Sequence, residues 1–481
     1  MATYYVSTAG SDSWVGSAGS PWLTPYKAWA TMVAGDTAYF ANGTYACNNS
    51  EFTTKHSGAA GSPITFASTN RRLAVLRSDD DITWAFAGST DYITLSELTV
   101  QGRSDHSRWI VDINGAEGIT LHDCDIGTTL STCVMARNAV RGLSITDCAV
   151  HQETYTASLD DICIIGDGGV TGTISGCEIY NTFHVGVYIS TGVADTFEIH
   201  DNIIHDTNSH GVQFGDVESV GVQTGGIVYD NTLYNIGTWH EDAYSDKNFF
   251  YIQYSIDNVT IHHNTGYHST GHAINIYRLD HCHTLGVYNN TFYDTGTSGD
   301  DNFAILTLYN DSAATASITA LIFRNNIWHN LTTDRPVYAH YDTAETAVRA
   351  LVTLDYDDWY IPNYPGTSTV EWFGLSPTWA TWNGTTQEAH GITGTPMFTN
   401  AASADFTLQS TSPCIDAGTA VGYYYDGDAP DMGAWEYAGT GSPPAYGTSY
   451  FGMIPSDLAI PPLYSIRRNA AGDGWEAFST V

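Results

Sequence analysis

Positive charge is scarce in this chain, which has 16 Lys plus Arg against 52 Asp plus Glu and a formal net charge of −36. Such a field repels phosphate backbones, so nucleic acid is not an expected partner. It also disfavours polyanionic glycans unless Ca²⁺ or a local basic patch intervenes. Lysine is the rarest basic residue and occurs only as Lys27, Lys55 and Lys247.

Long apolar runs are missing as well. The chain opens MATYYVSTAGSDSW, without the basic segment and apolar core of a signal peptide, and no stretch approaches about 18 consecutive apolar residues. We therefore expect no membrane insertion. The expected location is extracellular or the virion surface, reached after removal of a signal or by release with virus particles. CxxC and HExxH spacings are also absent, which argues against a compact zinc motif.

What the chain does contain is an internal repeat. Asn202, Asn231, Asn264, Asn290 and Asn326 lie in nearly the same phrase, as in IHDNIIHD and VYDNTLYN, at intervals of 29, 33, 26 and 36 residues. Upstream, the same position is held by Leu98, Cys124, Cys148 and Cys177. Short β-rich phrases at irregular intervals of this length predict a coiled β-solenoid, in which each rung buries its apolar face only against its neighbours.

The repeated position itself has a physical explanation. Parallel rungs lie roughly 4.8 Å apart, so an inward Asn meets its own copy above and below and can hydrogen-bond to it. Each such bond contributes about 1 kcal/mol net. Cysteine fits the same stack as a small hydrophobic residue, and we interpret Cys124, Cys148 and Cys177 as packing residues rather than a metal or disulfide site.

The predicted fold is all-β, a right-handed parallel β-helix with an N-terminal cap and a C-terminal closing segment, forming one long domain. Residues 1–90 hold the cap and first coils, with a short helix around Tyr26 to Val33 covering the apolar end. Residues 91–335 hold the rungs, 336–440 the decorated last coils and closing segment, and 441–481 a linker and tail.

Aromatic residues are dense between 336 and 395, as in STVEWFGLSPTWATWNG. Two interpretations are open. Exposed rings beside acidic groups could stack on sugars, or the rings could form a local core under a long loop.

Several phrases resemble a known group of proteins. YYVSTAGSDSWVGS, AGDTAYFANGTY and GAAGSPITFAS resemble the start of right-handed parallel β-helix proteins of the pectate-lyase-like superfamily, and DFTLQSTSPCIDAG with PDMGAWEY resembles their closing segment. The resemblance covers residues 3 to about 438. It implies the fold, and it implies a choice of functions that includes polysaccharide lyases, glycoside hydrolases, epimerases, phage tailspikes and non-catalytic surface proteins.

A β-eliminating lyase needs a base and a cation that stabilises an enolate-like anion. Lys247 followed by Arg278 resembles the base and anion-binding pair of the chondroitinase B and alginate lyase group, although the surrounding motif of that group is absent. The same group shows Ca²⁺ near acidic residues, so Ca²⁺ is the expected cofactor. Its expected ligands are Glu241, Asp242 and Asp246.

A second set of candidates comes from aligning HGVQFGD (210–216) with HAINIYR (272–278). The alignment places His210 above His272 and Gln213 above Asn275, two rungs or about 10 Å apart, in an outward polar stripe. A histidine near pH 7 can serve as acid or base, so both are catalytic candidates. The substrate-binding candidates are Gln213, Asn275 and Tyr277.

The favoured function is interaction with a polysaccharide, with cleavage of a uronic-acid glycan by β-elimination. A glycoside hydrolase is a weaker prediction, because its candidate carboxylate pairs, Asp160 with Asp161, Asp216 with Glu218 and Asp300 with Asp301, are expected by chance in so acidic a chain. The rival is a phage virion surface protein without catalysis, such as a tailspike, fibre or capsid decoration. Its partners would be further copies of the chain, three in the tailspike case, or a virion component bound through the tail.

Overall fold

A computed structural model describes residues 1–48, 55–78, 82–87, 90–102, 109–128, 132–152, 162–190, 196–215, 223–237, 247–253, 256–279, 282–296, 304–310, 318–331, 335–341, 345–383 and 387–437. It also describes the backbone of 448–449, 465–468 and 475–478.

The chain winds repeatedly through three parallel sheets in the order sheet 1, sheet 2, sheet 3. Within the described residues, the 13 strands of sheet 1 are Thr3–Val6, Thr37–Phe40, Ile64–Ser68, Ile93–Ser96, Thr120–His122, Leu143–Thr146, Gly172–Ser175, Phe197–His200, Gln223–Tyr229, Ile256–His262, Thr284–Tyr288, Ala320–Arg324 and Val352–Asp355. The 12 strands of sheet 2 are Gly43–Ala46, Ala74–Arg77, Thr99–Gln101, Asp125–Thr128, Ala149–Gln152, Glu178–Thr182, Ile203–Thr207, Thr232–Ile236, Thr265–Ser269, Thr291–Tyr293, Ile327–His329 and Asp358–Tyr360. The 11 strands of sheet 3 are Ile82–Ala87, Trp109–Asn114, Thr132–Arg137, Ile164–Asp167, Val185–Ile189, His210–Phe214, Asn248–Ile252, His272–Ile276, Ala304–Asn310, Arg335–Tyr341 and Glu371–Trp372. The predicted right-handed parallel β-helix is confirmed.

The repeated asparagine position forms the corner between sheets 1 and 2. The Oδ1 atom of Asn231 accepts from the backbone N–H of Asn202 at 3.1 Å and from its Nδ2 at 2.9 Å. The same two bonds link Asn231 to Asn264, Asn264 to Asn290 and Asn290 to Asn326. We call this column the asparagine ladder. Because its members are almost completely buried, the ladder satisfies amides that would otherwise lack partners.

The residue before each ladder position has a left-handed backbone, with φ of 55° at Asp201, 53° at Asp230 and 50° at Asn289. Asp and Asn adopt this conformation more readily than most residues, because their short polar side chains hydrogen-bond locally. The sequence pattern D-N and N-N therefore encodes the bend as well as the ladder.

The cysteines that precede the asparagines along the column are packing residues, as predicted. Cys124, Cys148 and Cys177 are buried, and none of the eight cysteines forms a disulfide. The stacked cysteines and the asparagine ladder meet at Cys177, whose backbone N–H donates to Asn202 Oδ1 at 2.9 Å.

The N-terminal end is covered by a helix, Pro25–Trp29, which is shorter than the predicted segment. Thr24 caps it by accepting from the backbone N–H of Lys27. Trp29 is buried and its ring lies 5.0 Å from that of Trp84, so the helix closes the apolar end of the coil.

The aromatic segment near the other end forms a local core. Trp359, Trp372, Trp379 and Trp382 are buried against one another, with ring centroids 5.3 Å apart for Trp379 and Trp382. Of the two interpretations of this segment, packing is therefore correct for these rings, since buried rings have no face available to a sugar. Helices Glu345–Arg349 and Trp379–Thr381 belong to this region.

The closing segment folds back along the outside of sheet 2. It contains the antiparallel strands Phe398–Asn400 and Asp405–Leu408 and the 3₁₀ helix Ala401–Ser403. Phe406 packs on Tyr267 and Tyr293 at 5.3 and 5.2 Å. Three short strands, Thr448–Ser449, Ser465–Arg468 and Trp475–Phe478, form a separate antiparallel sheet in the tail. No helix in the described residues is long and apolar enough to span a bilayer.

Candidate functional site

The polar stripe that the sequence predicted for the outer face of sheet 3 is present, but its side chains are almost completely buried rather than exposed. The backbone register pairs His210 with Asn248 and Asn248 with His272, and it pairs Gln213 with Tyr251 and Tyr251 with Asn275. His210 and His272 therefore stand two rungs apart, about 10 Å at the spacing of parallel strands. The residues predicted to face inward are buried in the core, namely Val212, Phe214, Ile274 and Ile276.

His210 is held in one orientation by the next rung. Asn248 Nδ2 donates to His210 Nδ1 at 2.9 Å, and the imidazole stacks on the Tyr251 ring at 4.4 Å. Burial lowers the pKa of His210 well below its ordinary value. The ring is therefore neutral at pH 7, and because Nδ1 accepts a hydrogen bond, Nε2 carries the proton.

His272 has the opposite tautomer. Its Nδ1 lies 2.6 Å from the carbonyl oxygen of Ala304 and 3.0 Å from Thr307 Oγ1, so Nδ1 carries the proton and donates. Burial lowers the pKa of His272 to about 4. The neutral ring thus has its acceptor nitrogen at Nε2. Both histidines were predicted to act as acid or base near pH 7, and this role stays a prediction. In the neutral form each imidazole has one donor and one acceptor nitrogen, which also suits binding of a hydroxyl group.

The amide side chains near the two histidines include carbonyl oxygens that accept no hydrogen bond from the described residues. Gln213 Nε2 donates to Gln253 Oε1 at 3.0 Å. Within the described part of the chain, Asn248 Oδ1 and Asn275 Oδ1 are buried without a hydrogen-bond partner. Each buried acceptor left in this state costs about 1–3 kcal/mol, which a hydroxyl-bearing ligand or a water would offset.

Lys247 stands at the start of the same face, one residue before strand Asn248–Ile252. Its aliphatic chain packs over Gly237, where a Cβ atom would lie 2.6 Å from Lys247 Cβ and Cδ. Gly237 also has a φ of +77°, so a side chain is excluded there for two reasons. Among the residues that the structure describes, the half-buried Lys247 ammonium forms no ion pair or hydrogen bond, and burial lowers its pKa.

Tyr277 and Arg278 directly follow strand His272–Ile276, so they lie where the strands of sheet 3 end, whereas Lys247 lies where they begin. The backbone N–H of Tyr277 donates to the carbonyl of Ile252, and its ring stacks on Tyr309 at 5.6 Å. In the strand register, residues 272–277 separate the position of Lys247 from that of Arg278, which is about 20 Å of extended chain. The backbone of Lys247 therefore lies next to Asn248, which pairs with His210 and His272, and the structure does not bring Lys247 and Arg278 together.

The predicted calcium ligands Glu241, Asp242 and Asp246 lie outside the described residues. So do the three carboxylate pairs considered for a hydrolase. Within the described ranges, no group of three or more His, Cys, Asp or Glu side chains is arranged to hold a metal ion.

The sequence analysis missed the middle rung of the face, which supplies Asn248, Tyr251 and Gln253. Its phrase NFFYIQY has no histidine and more aromatic residues than the rungs on either side, so its similarity to HGVQFGD and HAINIYR is weak. The alternation of polar N, Y and Q with apolar F and I was the available signal.

No family model and no curated protein matches the chain. Solved structures do resemble it in fold. Pectate lyase Pel9A superposes with a TM-score of 0.55 at 16% identity over 91% of this chain and 96% of its own. The A-module of the Azotobacter vinelandii mannuronan C-5 epimerase AlgE4 superposes with a TM-score of 0.50 at 12% identity over 69% and 91%. At such identities the likeness establishes the fold, and the predicted resemblance to the pectate-lyase-like β-helix proteins is confirmed at that level.

Proposed function

We propose that this protein is a polysaccharide lyase that cleaves a uronic-acid glycan by β-elimination on the outer face of sheet 3. The observation that carries the proposal is the state of Lys247. In a chain with 52 acidic residues, its ammonium has no carboxylate partner among the described residues, and burial lowers its pKa. A lysine with a lowered pKa is an effective general base near neutral pH.

The proposed reaction begins when the neutral Lys247 amine removes the proton on the carbon beside the uronate carboxyl group. The electron pair of that C–H bond forms a double bond to the neighbouring ring carbon. The bond from that carbon to the glycosidic oxygen breaks, and the departing oxygen takes a proton from water. The products are a new non-reducing end with an unsaturated uronate and a free hydroxyl group on the leaving sugar.

The polar side chains of sheet 3 near Lys247 are uncharged, and their hydrogen-bonding groups suit the hydroxyl groups of the sugar. His210 Nε2–H is a donor, and Asn248 Oδ1 and Asn275 Oδ1 are acceptors that lack donors among the described residues. Sugar hydroxyl groups act as both donor and acceptor, so they fit this mixture. Because Arg278 lies about 20 Å away along the strands, we propose that it binds the carboxylate of a different sugar unit rather than that of the reacting one.

Ca²⁺ remains a proposal that rests on the sequence context of Lys247. Glu241, Asp242 and Asp246 precede it closely, and carboxylate oxygens are the ligands that Ca²⁺ prefers. When bound, the ion would stabilise negative charge on the uronate carboxyl group.

Chelation tests this proposal. Removing Ca²⁺ with a chelator should abolish cleavage and lower the melting temperature, because the clustered carboxylates would repel one another without the ion. Differential scanning calorimetry and product formation should both recover when Ca²⁺ is restored, whereas Mg²⁺ serves as the control ion. An unchanged melting temperature together with no heat of Ca²⁺ binding would remove the metal from the proposal.

The activity itself is tested with a panel of acidic polysaccharides, monitored by the ultraviolet absorbance of unsaturated uronate and by reducing-end formation. Both signals rising together would support β-elimination. Reducing ends without unsaturation would indicate hydrolysis instead. Binding without either product would favour the non-catalytic surface protein.

A further inference from the structure

The asparagine ladder ends at a carboxyl group rather than an amide. Asn326 donates its backbone N–H and its Nδ2 to Asp357 Oδ1, at 2.6 and 2.9 Å. Asp357 Oδ1 therefore accepts the same two hydrogen bonds that Asn Oδ1 accepts in the earlier rungs of the asparagine ladder. Asp357 is fully buried, so water does not compensate its charge.

The other oxygen, Asp357 Oδ2, occupies the position of the amide nitrogen. In the preceding rungs this nitrogen donates to a carbonyl on the neighbouring coil, as Asn290 does to Ile261 and Asn326 to Val287. The equivalent acceptor for Asp357 is the Phe323 carbonyl, because Phe323 pairs with Val287 in sheet 1. Oδ2 is buried and has no hydrogen bond of ordinary geometry in the described structure, although the Trp328 indole, whose buried Nε1–H also lacks a partner, lies near enough to lower the pKa of Asp357. An oxygen facing a carbonyl can bond to it only when it carries a proton.

Asp357 and its neighbour also attach the closing segment to the last coil. The backbone N–H of Asp357 donates to Glu388 Oε2 at 3.1 Å, and Trp359 Nε1 donates to Glu388 Oε1 at 2.8 Å. The Cys414 thiol donates to Asp358 Oδ2 at 3.3 Å. Two adjacent buried acids thus contact two separate parts of residues 388–437.

We propose that Asp357 is held in its protonated form as the last donor of the asparagine ladder, and that it forms with Glu388 a pH-sensitive latch that loosens the closing segment as the pH rises. The latch is defined here as Asp357, Asp358, Glu388 and Cys414. On ionisation, Asp357 loses its donated hydrogen bond and places a charge beside Glu388 in a site closed to bulk solvent.

Hydrogen bonds from Asn326, Glu388 and Trp328 favour the ionised form of Asp357, but burial outweighs them. Burial raises the pKa of Asp357 to about 7, and burial followed by the charge of Asp357 raises that of Glu388. Burial also raises the pKa of Asp358. Other titratable neighbours on the packed elements are Cys414, the buried Asp431 near that thiol, the surface pair Asp355 and His390, and Arg324, which pairs with Asp355 in the strand register.

The direction of the pH effect on stability follows from the linkage between proton binding and folding. An aspartate titrates near 3.9 in an unfolded chain, and the folded pKa of Asp357 is raised to about 7. Its contribution to stability is complete below about pH 4 and is lost as the pH rises towards 7. Between about pH 4 and pH 7, each carboxyl group with a pKa raised in this way lowers the folding equilibrium constant by about tenfold for each pH unit.

Asp357→Asn tests the proposal, because an amide supplies the donor permanently and continues the ladder. The measurement is hydrogen exchange in residues 388–437, corrected for intrinsic exchange rates. From pH 5 to pH 7, the opening equilibrium constant of this segment should rise by about a hundredfold more in the wild type than in the variant. At pH 8 the variant should be the more stable protein. The matched control is Asp91→Asn, since among the described residues the half-buried Asp91 carboxylate accepts one hydrogen bond, from the backbone N–H of Glu117.

Equal pH dependence of the wild type and Asp357→Asn would overturn the proposal, as would a variant less stable than the wild type at pH 8. Carbon-13 NMR of the wild type keeps the test decisive even if the variant fails to fold, provided that the side-chain carboxyl resonance of Asp357 is assigned individually. That resonance should report a protonated carboxyl group at pH 5 and an ionised one at pH 8, and an ionised Asp357 at pH 5 would also refute the proposal.

Discussion

Lys247→Ala is expected to reduce turnover by about 10²- to 10⁴-fold while leaving glycan binding nearly unchanged, because a general base acts on the transition state rather than on the bound substrate. The measurement is kcat from the absorbance of unsaturated uronate, together with glycan affinity from calorimetry. The parent kcat should also rise with pH through an apparent pKa below that of an ordinary lysine, since burial lowers the pKa of Lys247.

Lys27→Ala is the matched control, since Lys27 lies on the N-terminal helix and its ammonium packs over the Trp22 ring at 5.9 Å, far along the chain from sheet 3. It should cleave at the parent rate. Normal cleavage by Lys247→Ala, or a parent protein that releases no unsaturated product from any polysaccharide, would end the lyase proposal. The non-catalytic surface protein would then be the better explanation.

Arg278→Ala separates binding from chemistry. Because Arg278 stands about 20 Å from Lys247 along the strands, its removal should raise KM and leave kcat almost unchanged. Short oligosaccharides that do not reach Arg278 should be insensitive to the substitution. A kcat loss as large as that of Lys247→Ala would mean that the two groups act on the same sugar.

Asn264→Leu should destabilise the fold by about 3 kcal/mol, since it breaks the asparagine ladder at its middle. Asn264 Nδ2 donates to the carbonyls of Val228 and His262 and to Asn290 Oδ1, and Asn264 Oδ1 accepts twice from Asn231. Leucine fills a similar volume but leaves these buried groups unsatisfied. The measurement is the free energy of unfolding from denaturant titration.

The control for this experiment is Asn42→Leu. Asn42 is exposed and only accepts from Asn70 Nδ2, so the same substitution should change stability by less than about 0.5 kcal/mol. Asn264→Leu as stable as Asn42→Leu would show that the ladder contributes nothing net. An intermediate variant, Asn264→Asp, should be destabilised more at pH 8 than at pH 5, since it places a carboxyl group in an interior rung.

The sequence predicted the candidate site only in part. It placed His210 over His272 correctly, because the phrases HGVQF and HAINI repeat in phase. It could not show that Lys247 and Arg278 stand at opposite ends of sheet 3. The interval between them fits one coil, but a coil passes through three sheets, and the interval does not say at which corner each residue falls.

By itself the sequence determined the coil, the corner between sheets 1 and 2 and the asparagine ladder, because each rung contacts copies of itself and repetition in sequence becomes repetition in space. Only the tertiary structure decided the charge states: the neutral His210 and His272, the lowered pKa of Lys247, and the carboxyl group of Asp357 at the end of the ladder. These depend on burial by segments distant in the chain, as Glu388 and Cys414 bury the last coil. Such contacts are made once and leave no periodic signal in the sequence.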